Sequence, residues 1–273
     1  MVKHMKNPLR KRYWRDFKQE IGKYLVIFLL MTASIGFVSG FLVADGSLLQ
    51  AYHDSFETYH VEDGNFTVQR QLNQTQIRDI EAQGVTLYNL FYTQKQLTND
   101  SKLRIFPKRE QVNLECLMEG EMPKHADEIA IDRMYADNNA LSVGDTLTTS
   151  DNQTWTITGL LALSDYSCLF ENNSDTMFDA TKFGVAIVTQ DAFAAISSED
   201  KIFCYAWTYQ QTPADETEEH ARAEDFLEFL SGETALDGFI PRYTNQAIVF
   251  AGNDMGSDRG MMIMLLYMVI AIM

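Results

Sequence analysis

The sequence predicts an α+β extracytoplasmic domain inserted between transmembrane α-helices, on three observations. Residues 24–44 (YLVIFLLMTASIGFVSGFLVA) carry no charge, residues 261–273 (MMIMLLYMVIAIM) form a second charge-free run, and the acidic stretch between them mixes strand-like and helix-like patterns. Charge divides the chain in the same way. Of 22 Lys and Arg, eight (Lys3, Lys6, Arg10, Lys11, Arg12, Arg15, Lys18, Lys23) lie in the first 23 residues beside only Asp16 and Glu20, which leaves 14 basic against 36 acidic residues from Tyr24 onward. A head of net +6 therefore joins a remainder of net −22. That balance argues against a nucleic-acid partner, because phosphate contacts need a basic face and the one basic cluster abuts an apolar run.

Residues 1–23 read as a cytoplasmic basic amphipathic segment. Tyr13, Phe17 and Ile21, with Trp14 alongside, recur every four residues, while Arg12, Arg15, Lys18 and Gln19 take the other face. This is the pattern of a helix lying on a leaflet surface, although a plain basic anchor would serve topology equally. Residues 24–44 follow as the first transmembrane helix. At about 1.5 Å each they reach roughly 30 Å, a bilayer core. The basic flank places the N-terminus in the cytoplasm and the chain from Asp45 onward outside, with the lipid bilayer as partner of the span. The competing reading is a cleaved signal peptide. It fits poorly, since such an apolar core usually has about 7–15 residues and ends at a small-x-small site unlike residues 42–44. Inside the span Thr32, Gly36 and Gly40 stand four residues apart, a stripe of small residues on which another helix can pack closely. Gly252, Gly256 and Gly260 repeat the spacing, so the two spans are expected to meet near the outer surface.

Residues 45–260 make up the extracytoplasmic α+β domain, 216 residues and enough to enclose a core. Strands are expected at 65–69, 85–92, 103–106, 128–131, 155–161, 185–189 and 202–209, from β-branched and aromatic enrichment between turn residues. Helices are expected at 75–83, with Ile77 and Ile80 before a stop at Gly84, and at 214–231, with Ala221, Phe226, Leu227 and Leu230, an acidic first turn and a stop at Gly232. Their irregular order speaks for α+β over a βαβ repeat. Residues 251–260 (AGNDMGSDRG) read as a loop or hinge. Residues 261–273 are expected to start a second transmembrane helix that is cut short, since 13 residues stop short of the roughly 20 a crossing needs. An apolar tail packed on the domain and a lipid-anchor signal are the alternatives.

The chemistry of the chain is mostly read from what it lacks. No G-x-x-x-x-G-K-[ST], G-x-G-x-x-G, G-x-S-x-G or H-E-x-x-H occurs, so the chain has no ATPase of its own, and neither enzyme activity, cofactor nor metal is expected. His4, His53, His60, His125 and His220 are scattered without ligand spacing. Cys116, Cys168 and Cys204 fit neither a metal knuckle nor a disulfide framework and read as reduced, one disulfide with a spare thiol being the alternative. The acidic loop 171–179 (ENNSDTMFD) lacks the oxygen spacing and central glycine of a calcium loop and reads as a solvated turn. Asn65, Asn73, Asn152 and Asn172 open N-x-[ST] sequons, a pattern that signals exposure at most.

Residues 120–160 (GEMPKHADEIAIDRMYADNNALSVGDTLTTSDNQTWTITGL) carry a resemblance. Gly120 and Pro123, then Glu128-Ile129 and Ile131, a short helix around Ala136, Leu141, the turn and strand Val143-Gly144-Asp145-Thr146-Leu147, and Thr156-Ile157-Thr158-Gly159-Leu160 resemble the periplasmic core domain of FtsX-like and MacB-like ABC transporter permeases. The opening NPLRKRYWRDF (residues 7–17) and the glycine-bearing span resemble the start of such permeases. The resemblance implies a domain of the MacB-like periplasmic core type, a permease subunit without catalytic residues, and two partners: a separate cytoplasmic ABC ATPase and a second permease copy in a dimer. It implies export or mechanotransmission driven by ATP, and a multi-pass protein of the cell membrane whose contact with the ATPase lies beyond residue 273. The alternatives are a single-pass membrane-anchored sensor or adhesion ectodomain, which carries the same anchor and domain, and a membrane-anchored hydrolase, which would need a convergent nucleophile or carboxylate pair.

Overall fold

The computed structural model describes residues 15 and 17–272. Arg12, Tyr13 and Trp14 of the expected leaflet helix lie outside the described residues; residues 17–19 are helical and the chain bends at Glu20. Two compact units form, one of residues up to Gln50 together with Met255 onward, the other of Ala51–Asp254.

The first unit consists of parts of two long helices. Helix α1 (Ile21–Thr58) is, among the described residues, the one helix long and apolar enough to cross a membrane. It has no proline, and Thr32 and Ser47 return their hydroxyls to the carbonyls of Phe28 and Val43 (2.8 and 3.0 Å), which satisfies polar groups within the helix. Val26, Phe28, Leu30 and Phe37 stand mostly exposed, the outward apolar surface a lipid solvent requires. The helix continues past Ala44 to Thr58. The last helix belongs to this unit from Met255 on and carries the second apolar run.

The second unit is a mixed α/β domain with two sheets. Strands β1 (Gly64–Val68), β2 (Val85–Asn89), β10 (Phe203–Tyr209) and β11 (Leu236–Pro241) form an antiparallel sheet in the order β11-β1-β10-β2. Helices α2 (Gln74–Glu81) and α5 (Glu216–Glu233) contribute Ile80, Phe226 and Leu230 to the same core as Phe66, Tyr205 and Trp207. The second sheet runs β3-β4-β9-β6-β8-β5 with β7 beside β8. Its strands are β3 (Thr93–Gln96), β4 (Lys102–Pro107), β5 (Glu115–Gly120), β6 (Glu128–Asp132), β7 (Thr146–Thr148), β8 (Thr154–Leu163) and β9 (Phe183–Val188). The pairs β4–β9 and β6–β8 are parallel and the others antiparallel. Its centre is β9 (FGVAIV), buried at every position, as expected of an unbroken apolar run between two strands. Helices α3 (Arg133–Asn138) and α4 (Gln190–Ala194) are short, and α6 (Gln246–Ile272) ends the described chain.

The local chemistry explains most boundaries. Asn73 and Gln76 form a reciprocal capping box that starts α2, and Asp215 accepts from the amide of Glu218 to start α5 below three acidic residues of its first turn. Gly144 takes φ +97° in the turn before β7, while Asp145 accepts from the amide of Ser142 at 2.8 Å. Of the strands without an expected counterpart, β3 is a polar edge strand, and β11 contains a glycine and ends in proline, which an edge strand tolerates. Residues 251–260 are helical within α6, not a loop. Three glycines there cost about 0.5–1 kcal/mol each relative to alanine. The turn begun at Gln246 and the apolar run beyond carry the helix through them, and Gly252 packs on another side chain.

Candidate functional site at the helix roots

The domain end of α1 and the start of α6 lie side by side within the second unit. Tyr52 donates its hydroxyl to the carbonyl of Ile248 at 2.7 Å, and a Cβ built on Gly252 would lie 2.6 Å from the Tyr52 ring. Only glycine allows this approach without a shift. Burial raises the Tyr52 hydroxyl to about 12, so it remains a donor at any physiological pH.

Helix α1 ends in a hydrogen-bonded cap. The amide of Val61 reaches the carbonyl of Phe56 and that of His60 the carbonyl of Glu57, with His60 left-handed at φ +50°. The loop before β5 then grips this end. Asn113 and Leu114 donate their amides to the carbonyls of His60 and Tyr59 (3.0 and 2.8 Å). Asn113 also accepts from the amide of Glu62 (2.9 Å) and donates its side-chain amide to the Glu62 carboxylate (2.8 Å). Arg109 holds the loop in turn. Its Nη1 donates to the Asn113 carbonyl (2.9 Å) and to Asp165 Oδ1 (2.8 Å), and the two ions are 7% and 3% exposed. Nε and Nη2 of Arg109 are buried without a partner, and the guanidinium lies 4.3 Å over the Phe106 ring. Burial opposes its charge, but Asp165 more than restores it, so this guanidinium stays ionised.

Asp165 opens the segment that reaches α6. Within the one-turn 3-10 segment Ser164–Tyr166, the Tyr166 hydroxyl accepts from Arg104 (2.7 Å). Ser167 next donates to the carbonyls of Ala247 and Ile248, and the amide of Cys168 to Ala247 (3.1 Å). Phe170, Phe178 and Phe250 pack around this root with ring centroids 5.3–6.0 Å apart. A second tie joins Arg242, just before α6, to Asp63, just after α1: an ion pair of 2.8 Å and a backbone bond of 2.8 Å. The two helix ends are thus linked directly, through Asp63 and Arg242, and through the buried Asn113, Arg109 and Asp165.

Glu62 stands at the centre, 1% exposed, accepting from Asn65 (2.5 Å) and Asn113. Burial, and then the charge of Asp165, raise its carboxyl to about 7 against these hydrogen bonds. It faces a cleft of roughly 330 Å³ lined by both sheets, the 165–173 segment and the α6 root.

The sequence singled out none of Glu62, Arg109, Asn113 or Asp165; the Glu62–Asn113 and Arg109–Asp165 contacts span 51 and 56 residues of chain. Of the six small residues expected to pack helices, Gly252 meets Tyr52, Thr32 bonds back within its own helix, and Cβ atoms on Gly36, Gly40, Gly256 and Gly260 would have open space within 4 Å. All three cysteines are free, Cys168 and Cys204 buried and Cys116 partly so. In the acidic loop, Glu171 pairs with Lys102 (2.6 Å), Asp175 accepts from Asn172, and Asp179 accepts from Thr181; no group of three metal-ligating side chains occurs among the described residues. The sequon at Asn65 lies in β1 with its amide turned to Glu62, so there the pattern does not mark an exposed loop.

No family model matches the chain and no curated protein matches it. Solved structures similar in part to the chain include the following three. The periplasmic region of MacB from Actinobacillus actinomycetemcomitans has 10% identity and TM-score 0.35 over 65% of this chain and 87% of that one. The extracellular domain of the noncanonic ABC-type transporter YknZ from Gram-positive bacteria has 8% identity and TM-score 0.33 over 64% and 98%. A putative lipoprotein from Bacillus anthracis has 11% identity and TM-score 0.32 over 65% and 96%. Overlap at this level leaves function to the chain's own residues.

Proposed function

We propose that this chain belongs to the permease subunit of an FtsX-like ABC transporter and passes motion driven by a separate cytoplasmic ATPase into its extracytoplasmic domain, for export or for mechanical work on an envelope partner. The observation that carries the reading is the shared root of α1 and α6, where Tyr52 meets Ile248 and Gly252 and the Arg109–Asp165 pair ties both helix ends to one network. A domain tethered by one flexible anchor has no need of such a joint; one moved by its helices does. When α1 and α6 shift, the carbonyls at Tyr59, His60, Ala247 and Ile248 shift with them, and the buried bonds carry that displacement to the loops beside both sheets. Coupling of this kind needs two discrete arrangements of a packed element, each favoured by a different state of the partner.

In this reading the N-terminus is cytoplasmic, residues 45–260 are outside, a second permease copy packs on the glycine stripe of α1, and the chain performs no bond chemistry. The sequence supports it through the resemblance of residues 120–160 and the absence of a phosphate-binding loop. The test is affinity purification of the full-length protein from its own membranes in mild detergent. An ATPase with a phosphate-binding loop is expected to copurify, and ATP with vanadate is expected to change the spin-label distance between residues 53 and 249. An intact, folded chain that isolates without any ATPase, or ATP hydrolysis by this chain alone, overturns the proposal.

A further inference from the structure

The cleft beside Glu62 has walls and charges that the motion of the helices does not require. Its volume of roughly 330 Å³ falls at the small end of ligand sites, which span about 300–1,000 Å³. Tyr92, Phe106, Tyr166 and Phe170 supply apolar walls. Four carboxylates line it, and they are not equivalent. Asp165 is paired with Arg109 and Glu171 with Lys102. Glu62 is met only by the amides of Asn65 and Asn113, and Asp237 only by the amide of Gln69. The one cation on the lining, Arg104, spends both Nη atoms on Tyr166 and the Glu171 carbonyl and lies 4.6 Å over the Tyr92 ring. A buried carboxylate and a rim carboxylate therefore face a cleft that has aromatic walls among its polar lining, and neither has an ion-pair partner of its own among the described residues; a carboxylate so placed takes up either a proton or a cation.

We infer that this cleft binds a primary alkylammonium group, about the size of a lysine side chain, with its nitrogen on Glu62, its entrance at Asp237 and its methylenes against the aromatic walls. The ammonium supplies up to three donors, and Glu62 Oε1 and Oε2 each accept one bond from Asn65 or Asn113 and keep a second lone pair. The titratable and charged groups around Glu62 are Asp165 from the segment after β8, Arg109 from the loop before β5, Arg104 from β4 and Cys204 from β10. Burial, then Glu62, push the Cys204 thiol to about 12, so it stays neutral. Glu62 is then the group whose ionisation sets affinity near neutral pH. The inference does not rest on the transporter reading, since it concerns equilibrium binding to the domain.

The experiment uses the full chain in dodecyl maltoside, free of amine lipids. Binding is measured by calorimetry for n-pentylamine, for N-acetyl-lysine amide as the peptide-borne source, and for 1-pentanol and pentanoate as neutral and anionic counterparts. Either amine is expected to bind, and the tighter one identifies the source as a free amine or a lysine side chain. The Glu62→Gln variant should weaken the amine roughly tenfold or more at about pH 8, as loss of a charged hydrogen bond implies. The wild type should weaken comparably between about pH 8 and pH 5.5 as Glu62 protonates, whereas Glu62→Gln should show no such dependence. Should Glu62→Gln fail to fold by near-ultraviolet circular dichroism, Asp237→Asn on the exposed rim carries the test, with an expected loss of about threefold. Equal binding of 1-pentanol, binding of pentanoate in place of the amines, binding of neither amine, or unchanged affinity in the folded variants overturns the proposal.

Discussion

Arg109 makes one guanidinium responsible for the loop under α1 and for the segment leading to α6, and its burial makes the arrangement sensitive to removal of either partner. Replacing Arg109 by Met leaves Asp165 buried and unpaired, a change that costs about 3–5 kcal/mol. Replacing both, as Arg109→Met with Asp165→Leu, should recover much of that loss, because the desolvation penalty disappears along with the attraction. Denaturant unfolding of the three proteins, followed through the Trp207 cluster, checks this; a double variant no more stable than the single one would mean that Arg109 acts mainly through Asn113. Glu62 makes a second prediction. Its folded carboxyl titrates near 7, above its ordinary value of 4.5, so the folded state holds a proton that the unfolded state has already released in that window. Stability is therefore full below about pH 4.5 on this account and falls as pH rises towards 7, by on the order of 3 kcal/mol at most. Glu62→Gln should flatten that slope, and melting temperatures across the window report it.

At the scale of elements, the two glycine series separate. A leucine at Gly252 cannot enter the space held by the Tyr52 ring without moving it, so Gly252→Leu is expected to part the helix roots and to cost about 1–3 kcal/mol in the domain. A Cβ at Gly36 or Gly40 meets no atom of the described residues within 4 Å, so the double leucine variant should leave domain stability and membrane insertion unchanged and weaken only assembly with another helix. Thermal unfolding, alkali-resistant membrane retention and cross-linked oligomer yield measure the three quantities separately. Equal domain destabilisation by both variants would contradict this division. The continuation of α1 beyond the apolar run also follows at this scale: residues 45–58 remain helical because the cap at His60 and the grip of Asn113 close the helix there, not because hydrophobicity persists.

For the molecule as a whole, each sheet has its own buried cluster, and in the acidic loop Glu171 is held by Lys102 while Asp179 accepts from Thr181. Chelation is therefore expected to leave the melting temperature of the full chain unchanged within a degree or so, since no ligand binding to the native state is being withdrawn. A drop of several degrees on adding chelator would point to the acidic loop around Asp175 as a cation site. Phe91 packs against both clusters, so unfolding followed from Trp207 and from Trp155, one in each sheet's core, also tests whether the sheets melt together.

What the sequence by itself determined is what local pattern encodes. The charge-free run of 24–44, the seven strand-like stretches that became β1, β2, β4, β6, β8, β9 and β10, and the acidic start of α5 were legible because burial, propensity and helix-end electrostatics act over a few residues. The turn at Gly144 was legible for the same reason. The tertiary structure alone decided which strands adjoin, that β4–β9 and β6–β8 run parallel, that the glycine-rich 251–260 continues a helix, and that Glu62, Arg109, Asn113 and Asp165 share one buried network. Each of those residues looks like an ordinary surface polar group in its own segment. Their burial, and with it the shifted carboxyl and the cleft, comes from chain brought together over more than fifty residues, and no local signal records that distance.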